Sequence, residues 1–514
     1  MNSVLSTSRT TSTLIRNARL VPVISPAPTD GPVDIRITGG KVRQVAAGLR
    51  PGPDDLVVDA AGRWAIPGLW DQHVHMTQWA QTRLREDLSG TSGPAEVVRR
   101  IADHLARLPA DQAGRLVIGS GYRSATWSEQ PTVAALDEVS VDRPVILISG
   151  DGHNGWLNSR ALQLLGVPAR DSALDENEWF GVFSRIADLP DAQVGLEDAY
   201  RQAVLDAAAH GVVGIVDLEF GQGRVDWQQR LGRGFDQLRV RTAVYPDRLE
   251  AVIAAGLRSG QALPGGDGLL TIGPLKIISD GSLNTRTACC FEPYADATTL
   301  EFPYGKQNYA LTELTTLMGR AQQAGLQIAL HAIGDAAVAT GLDAFSATKA
   351  TGSIEHAQLM RREDILRMAK LRVRASVQPA HLLDDRDVTT HCWPDRADRC
   401  FPFQSMIRAG VVLAMGSDAP VAPLDPWLAM AAAVHRSADE REPWNPAEAL
   451  TAAEALDAST DSQPTIGPGS RGDVVLLDHD PRREVGDSAA IAARLKQIRV
   501  AATFLAGRPT HLSM

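Results

Sequence analysis

Asp71-Gln-His73-Val-His75 follows a strand-like run, Trp64-Ala-Ile-Pro-Gly-Leu-Trp70, and sets two imidazoles at positions i and i+2. On a strand, that spacing aims both rings to one side. Two neutral imidazoles fixed on one face supply the first two ligands of a divalent transition metal such as zinc. Further candidates lie far apart in the chain: Lys276 inside PLKIIS, His331 in IALHAIGD, His356 in SIEHAQ and Asp418 after VVLAMGS. Each has an ordinary alternative. A strand-end histidine can be a hydrogen-bonded core residue, an aspartate can cap a helix or a turn, and a lysine can pair with a carboxylate. Only six of the 51 basic residues are lysines, however, so a lysine within an apolar run stands out. Four such residues on separate runs, added to the histidine pair, point to one metal-holding site.

The elements that must position them alternate between apolar strand-like runs and Ala/Leu/Arg-rich helical stretches. The runs are 212–217, 240–245, 275–279, 327–331, 353–356, 372–377 and 411–416, and the His73 run makes eight. This repetition predicts an α/β chain folded as a distorted TIM (β/α)8 barrel, whose chemistry sits at the C-terminal ends of its strands. About 77–211 is too long for one connection, so it predicts a large insertion after the first strand, a lid or subdomain with strands near 116–119 and 145–148. Short β-like pieces at both ends of the chain predict a small composite β-sandwich, residues 12–66 and 464–514, around a barrel spanning 67–463. Residues 1–11 read as a flexible Ser/Thr-rich tail.

Composition narrows the function classes. The chain has 514 residues, 44% hydrophobic and 22% charged, with a formal charge of −10 and no basic block. That argues against a nucleic-acid partner. No apolar run reaches the length of a membrane span, and the first eleven residues lack a signal peptide's apolar core. Four cysteines, two of them adjacent at Cys289 and Cys290, make no disulfide framework, so a cytoplasmic, reducing setting is expected. The Gly-rich Gly265-Gly-Asp-Gly268 lacks the glycine-lysine pattern of a phosphate loop. A small-molecule substrate is the expected partner, with a homodimer left open.

GLWDQHVH, DGHNGWLNSRAL, LKIISDGSLNTRTA with the following EPYAD, ALHAIGDAA, IEHAQL, SVQPAH and MGSDAPV succeed one another along nearly the whole chain. The set resembles the amidohydrolase superfamily, specifically amidohydrolase family 3, the YtcJ-like group that includes N-substituted formamide deformylases. The resemblance implies that His73, His75 and Asp418 hold one metal ion and His331 and His356 a second, with Lys276 bridging them if carbon dioxide carboxylates it. A lysine ammonium has no lone pair and repels a dication, whereas its carbamate offers anionic oxygens. With the lysine unmodified, a one-metal site is the alternative.

These residues predict metal-assisted hydrolysis of a carbon–nitrogen bond other than a peptide bond, in a small N-substituted amide or formamide. Metal lowers the pKa of its bound water towards ~7, the resulting hydroxide attacks the carbonyl, and Asp418 carries the proton to the leaving nitrogen. Two alternatives stay open: the same site hydrolysing a carbamate, lactone or other ester, and a catalytically silent barrel scaffold. Substrate-binding candidates are His153, Asn154 and Trp156 in the insertion, Arg286 after the Lys276 strand, and Gln378 and His381 at the seventh strand end. For Arg286 the alternative is a structural ion pair. His104, His210, His435, His479 and His511 have helical or terminal settings and are set aside. Two stretches depart from the family pattern. DSALDENEWFGVFSRIADLP, 171–190, keeps little of a Gly-rich segment followed by a glutamate, and ASTDSQP, 458–464, is shortened. The first falls where substrate should be enclosed, so specificity is not carried over.

Overall fold

Short apolar runs become eight parallel strands: β1 (Leu69–Val74), β2 (Val212–Asp217), β3 (Arg239–Val244), β4 (Leu270–Ile278), β5 (Ile328–Ala332), β6 (Gly352–His356), β7 (Arg374–Val377) and β8 (Leu413–Met415). Each pairs with the next in sequence order. Strands covered on both faces read as continuous hydrophobic runs rather than alternating ones, and β1, β2 and β6 are buried at every position. The first and last strands meet beyond their ends, where Val74 bridges Ala419 in parallel. Asp418 N donates to His73 O at 2.7 Å and His75 N to Ala419 O at 2.9 Å. The barrel therefore closes on the histidine pair.

This is a computed structural model describing residues 12–514 apart from positions 30, 110–113, 125, 126, 151, 153, 175, 187, 190 and 438. By internal contacts the chain divides into one unit of Met1–His75 with Val204–Met514 and another of Met76–Ala203. The parallel strands and connecting helices have the TIM-like arrangement expected. Two strands are shorter than their apolar runs for local reasons. Arg372 ends the helix Arg362–Leu371 in a left-handed conformation, φ 56°, so β7 begins two residues late. Gly410 ends Phe403–Ala409 in the same way, φ 86°, where a glycine pays no Cβ penalty.

The first unit also contains a sheet drawn from both termini. Its path runs through Arg508–Leu512, Val500–Leu505, Val474–Leu477, Trp64–Pro67, Ser12–Leu20, Val33–Thr38 and Lys41–Ala46, while Asp55–Asp59 pairs with Ser12–Leu20 off the path. Ser12–Leu20 has a register break between Ile15 and Ala18. Ahead of it the strand pairs with Asp55–Asp59, and beyond it with Trp64 and Ala65. Ile15, Ile35, Val474 and Phe504 share one core across the two arms.

The second unit has a four-stranded sheet in the order Gly155–Leu157, Val145–Ser149, Val117–Tyr122 and Glu86–Asp87. Alternation along Val145–Ser149 explains its apolar sequence: Ile146 and Ile148 enter one core, Val145 and Leu147 another on the opposite face. Among the described residues no helix is long and apolar enough to cross a membrane.

Candidate metal centre

The sequence-selected residues gather at the C-terminal ends of the barrel strands. His73 lies in β1 with His75 just beyond it, Lys276 in β4, His331 in β5, His356 at the end of β6 and Asp418 past β8. Two of these ends turn sharply. His356 has φ 71° and Asp418 φ 57°, the left-handed region that costs a non-glycine residue roughly 1–2 kcal/mol. Such strain persists where the surroundings enforce it, and it concentrates at working sites. Gly416 explains how β8 comes so near β1: a Cβ there would lie 2.6 Å from His73 N and 3.0 Å from Asp71 Oδ1.

Asp418 Oδ1 stands 3.3 Å from both His73 Nε2 and His75 Nε2, and its Oδ2 is 3.9 Å from His381 Nε2. Lys276 Nζ is 3.2 Å from His73 Nε2. On the other side of the His73 ring, Nδ1 meets Glu355 Oε2 at 2.8 Å. Two sets of three donors converge within 4.8 Å, namely His73, His75 and Asp418, and His356, His381 and Asp418. His331 stacks edgewise on His356 with ring centres 4.5 Å apart but joins neither set. Its Nε2 is directed at Gly281 O, 3.3 Å away, and at Asp280 Oδ1, 3.7 Å away.

Electrostatics set the protonation states. Burial, then the Lys276 charge, push the His331 imidazole down to about 3. Burial and the neighbouring His331 and His73 hold His356 well below its ordinary value. Burial also lowers His73, with Lys276 adding to it, against the opposing pull of Asp418 and Glu355. His75 moves up instead, because Asp418 and Glu219 outweigh its burial. Burial raises the Asp418 carboxyl, yet His73, His75 and His356 together hold it well below the usual carboxylate range. Burial likewise lowers Lys276, against Glu355 and Asp418.

This donor chemistry suits a divalent cation. The imidazoles whose values fall, His73 and His356, are neutral and keep a lone pair, His75 would give up its proton on taking a cation, and the ionised carboxylate supplies the countercharge. His356 Nδ1 and His381 Nε2 are buried without a hydrogen-bond partner. Buried polar atoms are nearly always satisfied, so orphans clustered here are what a ligand-holding site would leave.

The substrate-binding candidates separate. Gln378 Nε2 is 3.4 Å from His73 Nδ1, so Gln378 and His381 both lie against the candidate ligands. Arg286 forms the structural pair: Nε meets Asp296 Oδ2 at 3.2 Å and Nη1 donates to Asn284 O at 2.8 Å. Trp156 is fully buried in the second unit's core, with its indole N–H on Thr132 O at 2.8 Å, a packing residue rather than a substrate contact. The Asn154 amide is held by Tyr122 Oη and, at 2.8 Å, by Leu174 O. His153 lies outside the described residues.

Three acids were given no role by the sequence reading. Glu355 touches His73, as above. Asp71 accepts from His73 N at 3.0 Å and Ser417 N at 3.0 and 3.1 Å, tying β1 to the β8 end; burial pushes it up to about 6 despite those bonds. Asp280 accepts from Cys289 N, Ile333 N and Gly334 N, and burial still raises it to about 7. The available signal was an acid inside or capping an apolar strand, the same test that singled out Lys276. Glu219, Phe220 and Tyr245 follow β2 and β3, and the Phe220 ring stacks on His75 at 5.7 Å and lies 5.0 Å from Tyr245.

The amidohydrolase family profile matches residues 56–511. Protein LONG AFTER FAR-RED 3 of Arabidopsis thaliana is 28% identical over 90% of this chain and 84% of its own length. The N-substituted formamide deformylase of Arthrobacter pascens is 26% identical over 92% of this chain and 94% of its own. The crystal structure of an uncharacterized metal-dependent hydrolase from Pyrococcus horikoshii superposes with a TM-score of 0.76 at 25% identity, covering 93% of this chain and 99% of the other. The chain belongs to the amidohydrolase family and is a hydrolase acting on carbon–nitrogen bonds.

Proposed function

We propose that the protein hydrolyses a small N-substituted amide or formamide in a metal-dependent reaction. The observation carrying this reading is the convergence of His73, His75 and ionised Asp418 at the barrel's closing seam, beside buried Lys276. These three residues would hold a divalent ion, zinc by ligand type, with Lys276 adding an anionic oxygen if carboxylated. When bound, such an ion acts as a Lewis acid towards water and a carbonyl oxygen.

The chain's own groups do the rest. Asp418, held ionised, accepts a proton from the attacking water as the new C–O bond forms, and returns it to the leaving nitrogen as the C–N bond breaks. Glu355 Oε2, 2.8 Å from His73 Nδ1, is placed to orient that ring and to favour the tautomer whose Nε2 lone pair would face the ion. Phe220 and Tyr245 give an aromatic face beside His75 that suits an apolar substituent on the substrate. The four cysteines are unpaired, which fits a cytoplasmic setting. Similarity to a formamide deformylase along most of the chain supports the choice of substrate class.

A hydrolysis screen of N-formyl and N-acyl amines, with esters and lactones included, tests the reading on metal-loaded protein. Turnover concentrated among the amides is expected. A clear preference for esters or lactones would overturn the amide assignment.

A further inference from the structure

We propose that Glu219, Phe220 and Tyr245 form a subsite for a positively charged group, so that the substrate is an amide or formamide whose N-substituent ends in an ammonium. The proposal rests on the amide-hydrolysing reading above and names the far end of its substrate. None of the stretches that carry the family resemblance includes these three residues.

The subsite is built on the loop that leaves β2, and its neighbours hold that loop in place. Leu218 N donates to Val74 O at 2.8 Å, beside His75. Tyr245 Oη donates to Leu218 O at 2.7 Å. Asp217 accepts from the Trp227 indole N–H at 2.6 Å and from Glu219 N at 3.3 Å. Gly223 lies so close to β3 that a Cβ there would stand 2.5 Å from Thr242 Oγ1. A subsite fixed before binding loses little affinity to its own ordering.

On this frame Phe220 stays 53% exposed, while its ring stacks on His75 with centres 5.7 Å apart and lies 5.0 Å from that of Tyr245. Glu219 Oε1 accepts from Phe220 N at 3.1 Å, which keeps the carboxylate next to the rings. Aromatic rings attract a cation through their electron-rich faces, and a carboxylate beside them supplies the countercharge. Burial, then the charges of Glu219, Asp217 and Asp418, push the Tyr245 phenol well up, so the potential at these rings is negative. The formal charge of −10 on the whole chain adds to the attraction for a cation. A purely apolar substituent is the competing occupant. It would use the rings but gain nothing from Glu219, whereas an apolar arm with a charged end uses both.

Two formamides that differ by one atom test the subsite: a trimethylammonium ends the N-substituent of one, and the isosteric, neutral tert-butyl group ends that of the other. On metal-loaded full-length protein the cationic formamide should have the higher kcat/KM. Glu219→Gln should lower the ratio of the two by about tenfold, and Phe220→Leu by about fivefold. A higher kcat/KM for the neutral formamide in wild type overturns the proposal, as does a ratio that either variant leaves at the wild-type value. Ligand-observed NMR gives a readout without turnover: tetramethylammonium should bind the same protein more tightly than tert-butanol does, and less tightly after Glu219→Gln. Equal binding of the two probes overturns the subsite. Protein that prefers tetramethylammonium in this way but hydrolyses no amide overturns the amide reading alone, so the two failures are distinguishable.

Discussion

The two ends of the same barrel handle buried charge in opposite ways. At the N-terminal end, Asp473 accepts from Arg239 Nε and Nη2 at 2.7 and 2.9 Å and from Ala506 N at 2.8 Å. Asp461 accepts from Arg241 Nη1 and Nη2 at 2.7 and 2.6 Å and from Arg471 Nη1 at 2.9 Å. Arginine stays protonated at any working pH and its planar fork matches a carboxylate edge, so these acids are saturated with donors. At the C-terminal end Asp418 faces imidazoles at 3.3 to 3.9 Å, and His356 Nδ1 and His381 Nε2 have no partner. Imidazole can present a lone pair where guanidinium cannot. The lower acids hold the terminal sheet segment to the barrel, while the upper one leaves its neighbours free to take a ligand.

Removing the upper carboxylate should give the largest effect. Asp418→Asn is isosteric but cannot accept the water's proton, so kcat should fall by about a thousandfold, with the thermal midpoint held near wild type. Steady-state turnover and metal content on the same preparation check it. Near-normal turnover at full metal content would remove Asp418 from proton transfer and erase the contrast between the two ends.

Asp473→Ala should do the reverse. It strands the Arg239 guanidinium, 18% exposed, and breaking one side of such a pair costs about 3 kcal/mol. Urea unfolding should shift to lower concentration while kcat of the folded protein is unchanged. A loss of kcat without a loss of stability would mean that the lower end serves the chemistry as well.

The upper end was far more legible in the sequence than the lower. His73 and His75 stand two apart at one strand end, His331, His356 and Asp418 each end or follow an apolar run and Lys276 interrupts one, so the strand pattern alone brings them towards one rim. Asp461 and Asp473 lie more than two hundred residues from Arg241 and Arg239, and no local pattern links them. Within the upper rim, legibility failed at orientation. Sequence placed His331 at a strand end but could not reveal that its Nε2 turns to Gly281 O. His381 was visible as a residue near the pocket, yet its approach to Asp418 depends on the turn Pro379–His381. Glu355 was hidden by its neighbour: attention went to His356, while the acid beside it reaches across the barrel to His73.

That contact supplies a smaller effect. Glu355 would be raised by burial, but its hydrogen bond with His73 and the nearby Lys276 charge bring it down to about 2, so it remains ionised across the working pH range. Glu355→Gln keeps an acceptor for His73 Nδ1 and loses the charge. Metal affinity, measured by competition with a chelator, should weaken by about tenfold with the unfolding midpoint little changed. Unaltered affinity would show that backbone and packing alone orient His73.

The smallest effect is expected at Arg286, which the sequence left between a substrate-anion contact and a structural pair. Its Nε meets Asp296 at 3.2 Å and its Nη1 donates to Asn284 O, with both side chains of the ion pair partly exposed. A partly exposed pair contributes about 0–1 kcal/mol. Arg286→Ala should therefore shift the unfolding midpoint slightly and leave KM unchanged for neutral and anionic substrates alike. A rise in KM confined to anionic substrates would instead make Arg286 a binding residue. The matched ion pairs of this barrel would then no longer be purely structural, and the contrast between saturated arginine pairs and open imidazole donors would have to be drawn residue by residue instead of end by end.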